Sequence, residues 1–209
     1  SHGKRYPYIR GVYRSVHIAL PLLKKIAVKG MPLLFNEALW SASVAVLNQC
    51  YSTRGLTVVA ANNIASTLWN LFSVCFISLG SATGIIIGQM LGASKSAEEV
   101  RDCDRKLIAF SVTSCAAFGL AMAAVSGVFP LIYKTDSSVR SFATALICIN
   151  AFIMPFDAYA NASYFTLRSG GKTLSTLLFD SCFMWVVSVP IAFTLSRFTN
   201  IHILPLYAI

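Results

Sequence analysis

The sequence predicts an all-α, polytopic transmembrane helix bundle of five spans followed by the start of a truncated sixth. Three observations predict it. Of the 209 residues, 56% are hydrophobic and only 12% are charged. Apolar runs long enough to cross a bilayer recur along the chain, and basic residues are unevenly shared between the connections. An ordinary soluble domain carries about 25% charged residues. With half that share there is too little polar surface to clothe a globule in water, so the fitting solvent is lipid. The same balance excludes a disordered chain, a collagen and a disulfide-rich secreted domain.

Residues 1–30 are basic and apolar together. Lys4, Arg5, Arg10, Arg14, Lys24, Lys25 and Lys29 all precede the first acid, Glu37. This reads as an amphipathic interfacial linker helix on the anionic cytoplasmic leaflet. The membrane bundle follows over 31–209. A span needs about 20 mostly apolar residues, since the hydrocarbon core is about 30 Å thick. The spans fall at about 31–51, 58–90, 107–133, 141–167 and 173–196, and residues 203–209 begin another apolar stretch that stops. The second lies in a charge-free run longer than one crossing requires, so it must tilt, bend or project. Helices are the solution for an open chain, because lipid cannot satisfy backbone polar groups and barrel-type alternation is missing. The first residue is Ser, no signal-peptide pattern opens the chain, and both ends look cut; the chain reads as a piece of a longer protein.

Loop charges set the orientation. With the N-terminal segment in the cytoplasm, that side carries the first seven basic residues plus Lys95, Arg101, Arg105, Lys106, Arg168 and Lys172, thirteen in all. The other side receives four: Arg54, Lys134, Arg140 and Arg197. Thirteen against four is a clear positive-inside bias.

Three acids, Glu37, Asp157 and Asp180, lie inside apolar spans. An acid at mid-bilayer costs roughly 2.5–3.5 kcal/mol on the insertion scale, so such residues face the bundle interior, pair, and mark ion or substrate paths. Glu37 and Asp157 are the candidate sodium or proton site. Asp180 lies about two turns from the cytoplasmic end of its helix, within expected reach of Arg168 or Lys172, and reads as structural. Residues four and seven apart share a helix face. That spacing sets Asn150, Asn161, Tyr164 and Arg168 beside Asp157, and Ser41 and Asn48 beside Glu37, with Asn36 adjacent. The second span adds Asn62, Asn63, Ser66, Thr67, Asn70 and Ser73. Asn36, Ser41, Asn63, Asn70, Asn150, Asn161 and Tyr164 are therefore candidates to line a wet cavity.

Pro155 removes a backbone donor two residues before Asp157 and predicts a kink that frees the Ala151 carbonyl as a possible ion ligand. Gly80, Gly84, Gly88 and Gly92 repeat every fourth residue, which predicts close packing against another backbone. Other chemistry is excluded. Gly170-Gly171-Lys172-Thr173 resembles the end of a phosphate-binding loop, but Thr166 stands where the motif needs a glycine and an apolar helix precedes it. No nucleophile–histidine–acid grouping is discernible, so the chain reads as no enzyme. The six cysteines form no C-x-x-C pair and read as buried small hydrophobes. The three histidines lack metal-ligand spacing. Positive charge concentrated at membrane flanks needs no nucleic-acid partner.

The residues resemble the multidrug and toxic compound extrusion (MATE) family, specifically the C-terminal half of a bacterial member, from about Lys29 to Ile209. The resemblance rests on Pro32 with Asn36-Glu37 and Trp40, on Ala60-Ala61-Asn62-Asn63-Ile64-Ala65, and on Gly84-Ile85-Ile86-Ile87-Gly88-Gln89 with Leu91-Gly92-Ala93. It continues through Leu167-Arg168-Ser169-Gly170-Gly171-Lys172-Thr173, then Asp180, Trp185 and Pro190. It implies a twelve-helix antiporter of two six-helix lobes, of which this is the linker and most of the second. It further implies export of cationic or amphipathic compounds in exchange for sodium ions or protons, with Glu37 and Asp157 resembling the acids of the first and fourth helices of that lobe. Two positions depart from the pattern: Lys172 replaces the loop's usual acid, and Ile153 stands where the sodium-coupled branch often has tyrosine.

The expected molecule is a multi-pass cell-membrane protein with no cofactor beyond its coupling ion. Its expected partners are membrane lipid, the missing N-terminal lobe and a small cationic or amphipathic substrate. The rivals are a lipid-linked sugar or polysaccharide flippase of the same superfamily, which would want a larger basic cavity, and a membrane scaffold without transport.

Overall fold

The computed structural model describes residues 20–53, 55–198 and 207. Residues 1–19 of the interfacial linker helix expected over 1–30, and the sixth span expected over 203–209, lie outside the described residues, Tyr207 excepted. The described chain is helical, without strands. Helices α1 (Leu20–Ser52), α2 (Leu56–Gly92), α3 (Ala97–Val125), α4 (Ser137–Ser169) and α5 (Thr173–Phe198) are all long and apolar enough to cross a membrane. They alternate in direction, so the order and number of spans match the apolar runs of the sequence.

The helix ends differ from the expected bounds for local reasons. No break separates linker from first span: α1 begins at Leu20 and continues through Pro32. The third helix starts ten residues before the expected Leu107. Ser96 caps it, its hydroxyl accepting from the Glu99 amide at 3.2 Å, and Glu98 and Glu99 in the first turn complement the helix dipole. A charged segment unfit for lipid is thereby a good helix start in water. At the far end the helix stops at Val125, and Phe129–Ile132 form a 3-10 turn around Pro130. Helix α4 closes on Gly170-Gly171, where Gly171 takes φ +77° and the Lys172 amide returns to the Leu167 carbonyl at 3.1 Å. The apparent phosphate loop is thus a helix-terminating turn.

The glycine ladder of α2 packs as the spacing predicts. A Cβ on Gly80 would lie 2.9 Å from the Phe165 ring and one on Gly84 3.2 Å from Phe165, while Gly88 faces Ser169; nothing lies within 4 Å of the corresponding point at Gly92. Helices α2, α3 and α4 make the tightest association, around Ala61, Ala65, Leu68, Met122, Leu146 and Ile147. Helices α1 and α5 pair alongside. Val58 and Ala192 join them to the rest at one end.

The Ala151 carbonyl, freed by Pro155, does not open into a cavity. It lies against Gly119 of α3, where an added Cβ would sit 2.6 Å from the carbonyl oxygen. Only an absent side chain permits that approach, so Pro155 and Gly119 act as a pair. The cysteines are free, but only Cys50 and Cys115 are buried, and Cys148 is exposed with its thiol 3.4 Å from the Ser126 hydroxyl.

Candidate functional site

Polar side chains from α1, α4 and α5 meet toward the end of the bundle where α4 gives way to α5. Asn36, almost fully buried, is their hub. Its side-chain amide donates to Asp180 Oδ2 at 2.8 Å and to Tyr164 Oη at 3.2 Å. The buried Ser181 hydroxyl lies 2.7 Å from Asn36 Oδ1 and 2.8 Å from the Asn36 carbonyl. One turn on, the Trp185 indole donates to the Leu39 carbonyl at 2.9 Å. Asp180 and Ser181 lie in a π-helical stretch, Leu178–Cys182, and a second, Met184–Ser188, follows. The wider turn changes which residues of α5 face α1, and such turns recur at functional sites.

Glu37 meets a different partner, one turn further along α4. Its carboxylate lies 3.6 Å from Arg168 Nη1, and both groups are partly exposed. The Arg168 guanidinium also stands 6.0 Å from the Tyr164 ring centroid. The expected reach of Asp180 to Arg168 or Lys172 is therefore corrected: Arg168 pairs with Glu37, and Asp180 takes the Asn36 amide. The reason is tertiary, since packing α1 against α5 beside the end of α4 brings Asn36 and Glu37 to partners that helical spacing alone does not reveal.

Asp157 is half-buried and stands apart from this group. Arg168 lies three turns further along α4, about 16 Å at the rise of a helix. Glu37, held at Arg168, is thus not brought to Asp157 in this conformation. Among the described residues no ion pair or hydrogen bond engages the Asp157 carboxylate; Asn161 Nδ2 donates to its backbone carbonyl at 3.1 Å. No three His, Cys, Asp or Glu side chains among the described residues gather as a metal site.

The remaining candidates separate. Asn150 is buried and donates to Tyr207 Oη at 3.2 Å. Ser41 is exposed on α1. Asn63 and Asn70, with Thr67 between them, form an exposed polar stripe on α2. What the sequence reading missed was the hub role of Asn36 and the parts of Ser181 and Trp185. Asn36 one residue before an intramembrane acid was the available signal; for Ser181 none existed.

The chain presents five long apolar helices, with Glu37, Asp157 and Asp180 inside three of them, Pro155 within the fourth and a glycine ladder on the second. The MatE family model matches residues 32–194. The chain belongs to the MatE family. MatE chains are transporters of the cell membrane rather than enzymes, and this one is a multi-pass membrane protein. It is 28% identical over 208 residues to the multidrug resistance protein MdtK of Proteus mirabilis (strain HI4320), covering 93% of this chain and 43% of that protein. It is 27% identical over 176 residues to the probable multidrug resistance protein NorM of Mannheimia succiniciproducens, covering 84% of this chain and 37% of that one. The NorM of Aliivibrio fischeri is 28% identical over 200 residues, covering 90% and 38%. The chain thus spans about two fifths of the length of the curated relatives it matches.

Proposed function

We propose that this chain is the C-terminal lobe of a secondary antiporter exporting cationic or amphipathic compounds in exchange for sodium ions or protons. Membership in the MatE family and relatives named for multidrug resistance support the export reading. One structural observation supports coupling: the carboxylate of Asp157, half-buried in a membrane helix, has no ion pair or hydrogen bond among the described residues. Burying an uncompensated charge is costly, and a visiting cation removes that cost.

The mechanism follows. A cation at Asp157 neutralises the helix and stabilises whichever conformation encloses it, shifting the population of states. A cationic substrate competes for the same negative charge, which makes exchange obligatory. Glu37 joins that site in a conformation where it has left Arg168. Pro155 loosens α4 at the level of Asp157, and the exposed Asn63–Thr67–Asn70 stripe of α2 offers hydrogen bonds to a substrate between this lobe and the other. A flippase for lipid-linked sugars would need basic groups in the spans, whereas those embedded here are chiefly acidic.

The test is cation-driven dye efflux from cells carrying the full-length protein. Asp157→Asn is expected to cut initial efflux at least about tenfold, equivalent to about 1.4 kcal/mol, and Glu37→Gln to change its ion dependence. Unaltered efflux and ion dependence in both variants overturn the reading.

A further inference from the structure

We propose that the first part of α1, Leu20–Val28, is a stalk through the lipid headgroup layer, and that the groove at Gly30 holds one anionic phospholipid with its phosphate on Lys25. The inference does not depend on the coupling proposed above. Its test reads lipid binding rather than efflux, so either can fail without the other.

Helix α1 is too long for one crossing. Its 33 residues rise about 50 Å, against about 30 Å of hydrocarbon. The excess lies at its start. Asn36 meets Asp180 and Ser181, and Leu39 meets Trp185. This register sets Thr173, where α5 begins, level with about Val28 of α1. The residues before that point overhang the bundle by about 12 Å at the rise of a helix. Every residue from Leu20 to Val28 is exposed, and Leu20, Leu22, Leu23 and Ile26 are each at least half exposed. Water opposes so many bare apolar side chains on one helix end. The boundary between headgroups and acyl chains accepts them together with their lysines.

Charge names the occupant. No acid precedes Glu37 in the sequence. Lys24 and Lys25 are exposed, and neither forms an ion pair among the described residues. The same holds for Lys172, which stands at the start of α5 on the same level. Lys95 and Lys106, by contrast, are paired with Glu99 and Asp102 of their own segment. The unpaired lysines therefore require anions from outside the lobe. Loop charges assign this end to the cytoplasm, whose leaflet carries the anionic lipids.

The groove fixes where one such lipid sits. Gly30 interrupts the apolar face of α1, and nothing lies within 4 Å of the point that a Cβ would occupy. A glycine inside a helix costs about 1 kcal/mol relative to alanine, and here no neighbouring helix needs the space. What the missing side chain leaves is a shallow groove lined by Lys25, Ile26, Gly30 and Leu33. Lys25 stands at the headgroup end, and Leu33 lies about 12 Å further toward the bilayer centre. A phospholipid fits in one sense. Its phosphate oxygens meet the Lys25 ammonium, a point charge suited to phosphate. An acyl chain then passes over Ile26, through the gap at Gly30 and along Leu33.

The experiment is native mass spectrometry of the purified full-length protein in detergent, titrated with phosphatidylglycerol or with phosphatidylcholine of the same acyl chains. Wild type is expected to take up its first phosphatidylglycerol about fivefold more tightly than phosphatidylcholine, the effect of one lysine at an anionic surface. Lys25→Gln is expected to abolish that preference. Gly30→Leu, on an exposed helix face, is expected to weaken both lipids by filling the groove. Lys134→Gln, an exposed lysine just before α4, is expected to change neither. Inorganic phosphate in large excess is expected to leave the lipid bound, and its displacement overturns a lipid as the ligand. Equal affinity of wild type for the two lipids overturns the phosphate contact. A Lys134→Gln effect as large as that of Lys25→Gln overturns the site in favour of diffuse surface charge, and wild-type binding in both Lys25→Gln and Gly30→Leu overturns it outright. Absence of bound lipid from wild type overturns the choice of occupant in favour of the other lobe or a second copy.

Discussion

Every polar atom of the Asn36 side chain is engaged, and its partners come from residues 128 and more positions away. Removing it strands the Asp180 carboxylate and takes a donor from Tyr164, while Ser181 keeps the residue-36 carbonyl at 2.8 Å. Asn36→Ala is therefore expected to destabilise the protein by about 1–3 kcal/mol, the usual range for orphaned buried partners, read from thermal unfolding of the full-length protein in detergent. The neighbouring Glu37–Arg168 pair makes a useful contrast. At 3.6 Å, with side-chain exposures of 61% and 35%, it is long and loosely enclosed. Arg168→Gln is expected to change the same unfolding free energy by less than about 1 kcal/mol. Two adjacent residues of one helix thus differ because the side chain of one is sealed among three helices and that of the other lies on the surface of this lobe. The residue types in the spans were legible from sequence. The pairing among them was not, since Asn36, Glu37, Asp180 and Arg168 carry no mark of partners more than 120 positions distant.

At the level of elements, glycine position decides outcome. Gly119 and Gly92 look alike in an apolar helix, and one faces a carbonyl while the other faces open space. Gly119→Ala is expected to destabilise by about 1–3 kcal/mol through forced displacement of α3 from α4. Gly92→Ala is expected to be neutral or to stabilise by up to about 1 kcal/mol through helix propensity. Parallel unfolding measurements check both, and equal effects would remove the proposed contact between Gly119 and the proline-freed carbonyl. The four-residue spacing of the α2 glycines announced a close approach, and the structure supplies its object, Phe165. The π-helical turns of α5, which carry Asp180, Ser181 and Trp185 onto α1, left no trace in the sequence.

For the whole molecule, charge asymmetry predicts that the α2–α3 connection is cytoplasmic and the start of α4 is external. A cysteine placed at Ser138 is expected to react with a membrane-impermeant maleimide in intact cells, and one at Ser96 only after permeabilisation; the reverse pattern would invert the topology. The sequence by itself determined the solvent of this protein, its helical class, the order of its five spans and its family. Those follow from composition and from apolar runs, which lipid reads locally, one segment at a time. Tertiary structure alone decided which acid meets which partner: Glu37 at Arg168, Asp180 at Asn36, and Asp157 about three turns away with neither. Spacing along a helix tells which residues share a face. Which helix that face meets, and at what height, depends on how α1 and α5 settle against α4, and no single segment carries that information.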